Sequence, residues 1–220
     1  MLIAGVDEAG RGCVIGPLIV AGVAVESQNI QSLVELGVKD SKLLNPKKRE
    51  ALYPEIIRLT SKHQVIKVRP HVIDKAVMNT QKLFKLNRLE AKTMANVIQK
   101  LNPEQAYVDA ADVIENRFEC HIQECLTKKI TVIAKHKADR IYPVVSAASI
   151  VAKVERDREI DKLKTEYGDF GSGYASDKKT IEFLKTLLNA KPDYPSCVRK
   201  SWETARRIKK DVLIPQKELF

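Results

Sequence analysis

Only four of the 220 residues are cysteines, at positions 13, 120, 125 and 197, and no two of them make a C-x-x-C pair. Cys120, His121 and Cys125 cluster, but at a spacing that fits no common zinc pattern. Ordinary thiols in a reducing compartment are expected, not a disulfide framework. Aromatic residues make up 5% of the chain, too few to stack successive bases on a platform of rings. The apolar run "CVIGPLIVAGVAV" (13–25) is too short to span a bilayer. Asp7, Glu8 and Arg11 precede it, and no small-residue cleavage site follows, so a signal peptide is not expected either. Repeats and low-complexity tracts are absent. A cytoplasmic protein without membrane contact is the expectation.

What the chain has in excess is positive charge. Lys and Arg total 38 against 28 for Asp and Glu, a formal net charge of +10, and the sequence pI is near 9.4. A polyanionic partner is the first expectation. The length suits one large domain, or one domain with a small appendage, and can bury a sizeable core.

"LIAGV" (2–6) and "PLIVAGVAV" (17–25) are β-branched apolar runs joined by a short glycine-rich link, and predict an antiparallel pair of buried strands. Asn45-Pro46 predicts a helix start, and Pro54 a kink or division of that helix. "QVIKVRP" (64–70) reads as a half-exposed strand ending at proline. Residues 80–101 carry an amphipathic stripe, 106–110 and 130–136 read as strands with a helix between them, and 143–167 as one long helix. After "YGDFGSGY" only helical segments follow, at 178–190 and 198–210. The expected architecture is an α/β fold with a mixed sheet flanked by helices. A core over 1–170 and a C-terminal helical region over 171–220 are expected.

Three acids share a context. Asp7 ends the first strand run, Asp109 ends "AYV", and Asp139 follows "ITVIAKH" by three residues. Strand ends and the loops leaving them are where α/β folds build sites. Asp7 is joined by Glu8, and side chains of neighbouring strand residues alternate in direction. The two serve one site only if the strand stops or bends, and Gly10 and Gly12 supply that freedom. Clustered carboxylates repel, and one is forced to keep a proton unless a cation joins them. Mg²⁺ or Mn²⁺ prefers such oxygen ligands, and supports in-line phosphoryl displacement. An acidic metal site on a basic protein fits a nuclease. A non-catalytic duplex-binding module, another metal-dependent phosphoryl-transfer enzyme and a glycosidase using paired carboxylates are the alternatives. In the 143–167 helix, Ser146, Ser149, Lys153 and Asp157 form a polar stripe on an otherwise apolar segment, read either as close packing or as the lining of a cleft.

"DEAGRG" (7–12) with "GP" (16–17), "KDSK" (39–42), "YVD" (107–109), "HKAD" (136–139), "YPVVSAASIVAKVERD" (142–157) and "GDFGSGY" (168–174) resemble, in that order, ribonuclease HII. The pattern is similar to archaeal members and runs from residue 2 to about 205. The resemblance implies an RNase H-like fold with a C-terminal helical region. It implies metal-dependent endonucleolytic hydrolysis of the RNA strand of RNA–DNA hybrids, and incision 5′ of ribonucleotides embedded in duplex DNA, as in replication and repair. It implies Asp7, Glu8, Asp109 and Asp139 as the catalytic acids and ligands of Mg²⁺ or Mn²⁺. Gly10, Arg11 and Gly12 are implied to grip the nucleotide at the RNA–DNA junction, with Tyr174 stacked there. Lys42, Ser146 and Ser149 are further candidates for substrate contact. A monomer is implied, and a sliding clamp as partner through the tail. Gln216 and Leu219 fit a Q-x-x-L-x-x-F clamp motif, whereas Phe220 comes two residues too early.

Overall fold

The computed structural model describes residues 1–38, 44–80, 83 and 85–213. The first apolar run becomes β1 (Leu2–Ala9) and the second β2 (Leu18–Glu26), paired antiparallel from Leu2↔Glu26 to Ala9↔Ile19. A short helix, α1 (Ile30–Glu35), follows, then α2 (Pro46–Leu59). Asn45 caps α2 by accepting the Lys48 amide at 2.9 Å. Of the two outcomes expected at Pro54, division does not occur; the helix runs through it at the cost of one backbone bond. β3 (Lys62–Val68) is the half-exposed strand. The proline ending that run opens a new helix, α3 (Pro70–Val77), at the position where a missing N–H costs least. α4 (Lys85–Leu101) carries the amphipathic stripe, and β4 (Gln105–Asp109), α5 (Glu115–Gln123) and β5 (Thr131–Lys135) follow. The remaining helices are α6 (Ala138–Ile141), α7 (Pro143–Tyr167), α8 (Lys178–Ala190) and α9 (Glu203–Leu213).

The strands form one mixed sheet in the order β3-β2-β1-β4-β5. β1 and β4 are parallel, as are β4 and β5, so the chain alternates strand and helix across this half of the sheet.

Two compact units divide the chain. The first holds residues 1–9, 19–67 and the described part of 83–156. Its core is set by the start of α7, where Val144, Val145, Ala147, Ala148, Ile150 and Val151 are all buried. α7 reaches β1 without a side chain in the way. A Cβ on Gly5 would stand 2.3 Å from the Val144 carbonyl carbon and oxygen. The residue there must be glycine for helix and strand to meet backbone to backbone. On β2, the side chains of Val97 and Leu101 of α4 close over Gly22 and fill the space a Cβ would take.

The second unit is built from residues 10–18 and the described parts of 68–82 and 157–220. Val14, Ile15, Ile160, Phe170, Leu184, Leu188, Val198 and Ile208 make its apolar centre. The stretch 198–202, expected as the start of a helix, instead bridges Ile15 through Val198, and α9 begins only at Glu203. Cys13 and Cys197 are buried, while Cys120 on α5 is exposed. Among the described residues no helix is long and apolar enough to cross a membrane.

Candidate active site

In the first unit, parallel pairing brings Val6 opposite Val108. Asp7 and Asp109, each one residue further on, therefore lie side by side on neighbouring strands. β4 and β5 pair as far as Asp109↔Lys135. Beyond β5, Lys137 adopts a left-handed conformation, φ 56°, uncommon for a side chain of its kind, and turns the chain into α6. The turn aims the Ala138 amide at Asp109 Oδ1, 2.7 Å away, and buries Asp139 at 3% exposure. Glu115 braces the same turn, accepting the His136 amide at 2.7 Å and the Lys135 ammonium at 3.0 Å.

Asp7 is buried, and burial pushes its carboxyl up to about 7, with the charge of Asp109 adding to the shift. Three groups oppose it: the Ser149 hydroxyl, the Glu8 amide and the ammonium of Lys153. The Glu8 amide donates to Asp7 Oδ1 at 2.7 Å, and Lys153 Nζ donates to Ser149 Oγ at 2.8 Å. Two members of the polar stripe on α7 thus meet the first catalytic candidate. Ser146 is buried with its hydroxyl donated to the Val38 carbonyl. Lys153, expected only as one member of a stripe that packs or lines a cleft, stands one helical turn from Ser149 and reaches it.

β1 does not stop at Asp7 and Glu8; it keeps register with β2 through Ala9↔Ile19. Glu8 is half-buried, with Oε2 shielded from solvent. The break in the strand comes at Gly10, φ 82°, whereas Gly12 has no positive φ.

The donors that Asp7 of β1 and Asp109 of β4 present are hard carboxylate oxygens. A buried carboxylate beside a second one is the setting that a divalent cation relieves, and the residues fit Mg²⁺ or Mn²⁺. Among the described residues no three His, Cys, Asp or Glu side chains form a preassembled ligand cluster.

In the second unit, residues 10–16 form a loop clasped from two sides. Val14 and Ile15 donate their amides to the Gly173 carbonyl at 2.8 and 3.2 Å, and Cys13 bridges Tyr174. On the other side the Gly16 amide donates to the Cys197 carbonyl at 2.8 Å. The Tyr174 ring passes 3.9 Å from where a Cβ on Gly12 would stand, and 37% of the residue is exposed. Thr180, fully buried, fixes the Tyr174 segment by donating to the Phe170 carbonyl at 2.8 Å and accepting the Gly173 amide at 3.0 Å. Arg199, in the segment expected as a helix over 198–210, is fully buried beneath the loop. Its one sequence signal was its place among Cys197, Val198 and Trp202. Lys42 and the tail with Gln216, Leu219 and Phe220 lie outside the described residues.

The ribonuclease HII family model matches residues 4–205. The ribonuclease HII of Pyrococcus horikoshii is 47% identical over 210 residues, 94% of this chain and 93% of that protein. The crystal structure of the ribonuclease H2 from the same organism superposes with a TM-score of 0.89 at 45% identity, covering 97% of this chain and all of that one. The ribonuclease HII solved in complex with PCNA from Archaeoglobus fulgidus has a TM-score of 0.82 at 48% identity, over 92% of this chain and 96% of that one.

Proposed function

Since the chain belongs to the ribonuclease HII family and is an endonuclease of the ribonuclease H type, we propose that it uses a divalent metal to cut RNA–DNA hybrids and to incise 5′ of single ribonucleotides embedded in duplex DNA. The observation that carries the metal dependence is the pairing of Asp7 with Asp109 on neighbouring parallel strands, with Asp7 buried.

Asp7, Glu8, Asp109 and Asp139 are the residues assigned to hold Mg²⁺ or Mn²⁺. A bound cation supplies an activated water and stabilises the leaving oxygen of an in-line displacement. Ser149 and Lys153 keep the Asp7 carboxylate ionised and oriented, the hydroxyl by donating to it and the ammonium by its charge. The Ala138 amide orients the Asp109 carboxylate by donating to its Oδ1.

Recognition falls to the loop of the second unit. One ribose differs from its deoxy neighbours only in the 2′-OH. Backbone donors at glycines approach a sugar closely because no side chain intervenes. Gly10 and Gly12 supply that access, Arg11 offers a fork to phosphate, and Tyr174 presents an exposed face next to Gly12. The net charge of +10 favours a polyanionic duplex. A clamp contact through the tail is proposed from the resemblance and from the PCNA complex of the Archaeoglobus relative.

The test is incubation with a duplex containing one ribonucleotide, in Mg²⁺ and in Mn²⁺. Incision at the 5′ side of the ribonucleotide is expected; intact duplex with both metals overturns the reading.

A further inference from the structure

Arg199 is 0% exposed, and its guanidinium is spent on main-chain carbonyls of one loop. Nε donates to the Gly16 carbonyl at 3.0 Å, Nη1 to that of Arg11 at 2.7 Å and Nη2 to that of Gly10 at 2.6 Å. Its own amide donates to the Val14 carbonyl at 2.8 Å, and the Trp202 ring lies 4.8 Å from the guanidinium carbon. Burying a guanidinium is costly, and the cost is recovered only when its donors are satisfied in good geometry. The planar fork does so here by fixing three carbonyls in one direction.

That direction has a consequence on the far side of each peptide. The described chain has no cis peptide bonds. In a trans peptide the N–H points opposite to the C=O. Turning the Gly10 and Arg11 carbonyls onto Arg199 therefore turns the N–H groups of Arg11 and Gly12 away from it. The Gly16 carbonyl is followed by Pro17, which has no N–H, so the third bond anchors the loop without presenting a donor. The Tyr174 ring stands next to Gly12.

We infer that Arg199 is the positioning residue of the sugar-reading loop, fixing the Arg11 and Gly12 amides as a pair of donors toward the nucleotide. This rests on the assignment of residues 10–12 to reading the ribose. A uniform hybrid presents an acceptable sugar in every register, whereas a duplex with one ribonucleotide presents a single one. Misalignment of the loop therefore harms the second substrate more.

R199Q and R199K are compared with the wild type on both substrates, alongside far-UV circular dichroism and calorimetric Mn²⁺ binding. R199Q is expected to lose about 100-fold in kcat on the single-ribonucleotide duplex, the scale of a small misplacement of a positioning group. Its loss on the uniform hybrid is expected to be at least about tenfold smaller, with KM and Mn²⁺ binding unchanged. R199K, with one cationic head in place of a fork, is expected to fall between. Equal losses on both substrates, or none, overturn the inference. Should R199Q fail to fold, R199K decides, and a wild-type ratio of the two activities overturns it. If the wild type itself cuts neither duplex, the functional reading falls. Amide exchange of residues 10–16 in R199K then still tests the anchoring: faster exchange supports it, and unchanged exchange refutes it.

Discussion

Asp7 and Asp109 stand side by side on parallel strands, and the charge of Asp109 raises the proton affinity of Asp7 beyond what burial alone does. The pair is thus unfavourable to the bare fold and favourable to a cation.

The first expected outcome follows from the sign of that shift. The folded-state value of Asp7, about 7, lies above the ordinary 3.8, so the metal-free fold binds this proton more tightly than the unfolded chain. The contribution to stability is fully present below the ordinary value and lost as pH rises toward 7. Asp7→Asn should abolish that fall and lose several orders of magnitude in rate while retaining hybrid binding. Thermal midpoints of the metal-free proteins between pH 4 and 8, with single-turnover rates, check it.

Metal ions should reverse the same penalty. Because the ligands must be deprotonated, Mn²⁺ should raise the wild-type midpoint more at pH 8 than at pH 5. At about 100 times its dissociation constant the gain should approach 2.7 kcal/mol. Asp7→Asn should show little of it. Differential scanning calorimetry with and without chelator reads both.

Lys153 bears on Asp7 through Ser149 and through its own charge. Lys153→Met should raise the proton affinity of Asp7, moving the acidic limb of the pH–rate profile to higher pH. Metal affinity should drop by roughly 10- to 100-fold, as for other supports of a metal ligand. A parallel drop at all pH values would refute this role.

Tyr174→Ala should harm cleavage at one embedded ribonucleotide more than cleavage of a long hybrid. Tyr174→Phe, which keeps the flat face, should retain most of the difference. The ratio of kcat/KM on the two substrates is the measurement, and equal losses would count against a junction role.

Gly5→Ala should drive β1 and α7 apart, since the added methyl would meet the Val144 backbone at 2.3 Å. A loss of about 1–3 kcal/mol or more is expected from such overpacking. Denaturant unfolding measures it, and unchanged stability would mean the helix gives way freely.

Much of this was legible in the residues. The β-branched runs of β1 and β2, the full extent of α7 and α8 and the strand-end position of Asp109 all follow from period and punctuation; Asp7, expected at the end of its strand, lies within β1, which runs on to Ala9. α3 was hidden because proline ends a strand and opens a helix equally well. α2 stays undivided because a proline ring removes only one bond, which packing offsets. Arg199 was hidden more deeply. Its partners are carbonyls, which every residue has, and they lie 183 to 189 positions away. No local pattern encodes such a pairing.

That separation bears on the order in which a growing chain matures. All four acids are made by residue 139, while the guanidinium that anchors residues 10–16 follows only at residue 199. On the proposed assignments, a ribosome-bound product that has passed residue 139 but not residue 199 therefore carries the groups assigned to cutting before it carries the anchor of the loop assigned to choosing where to cut.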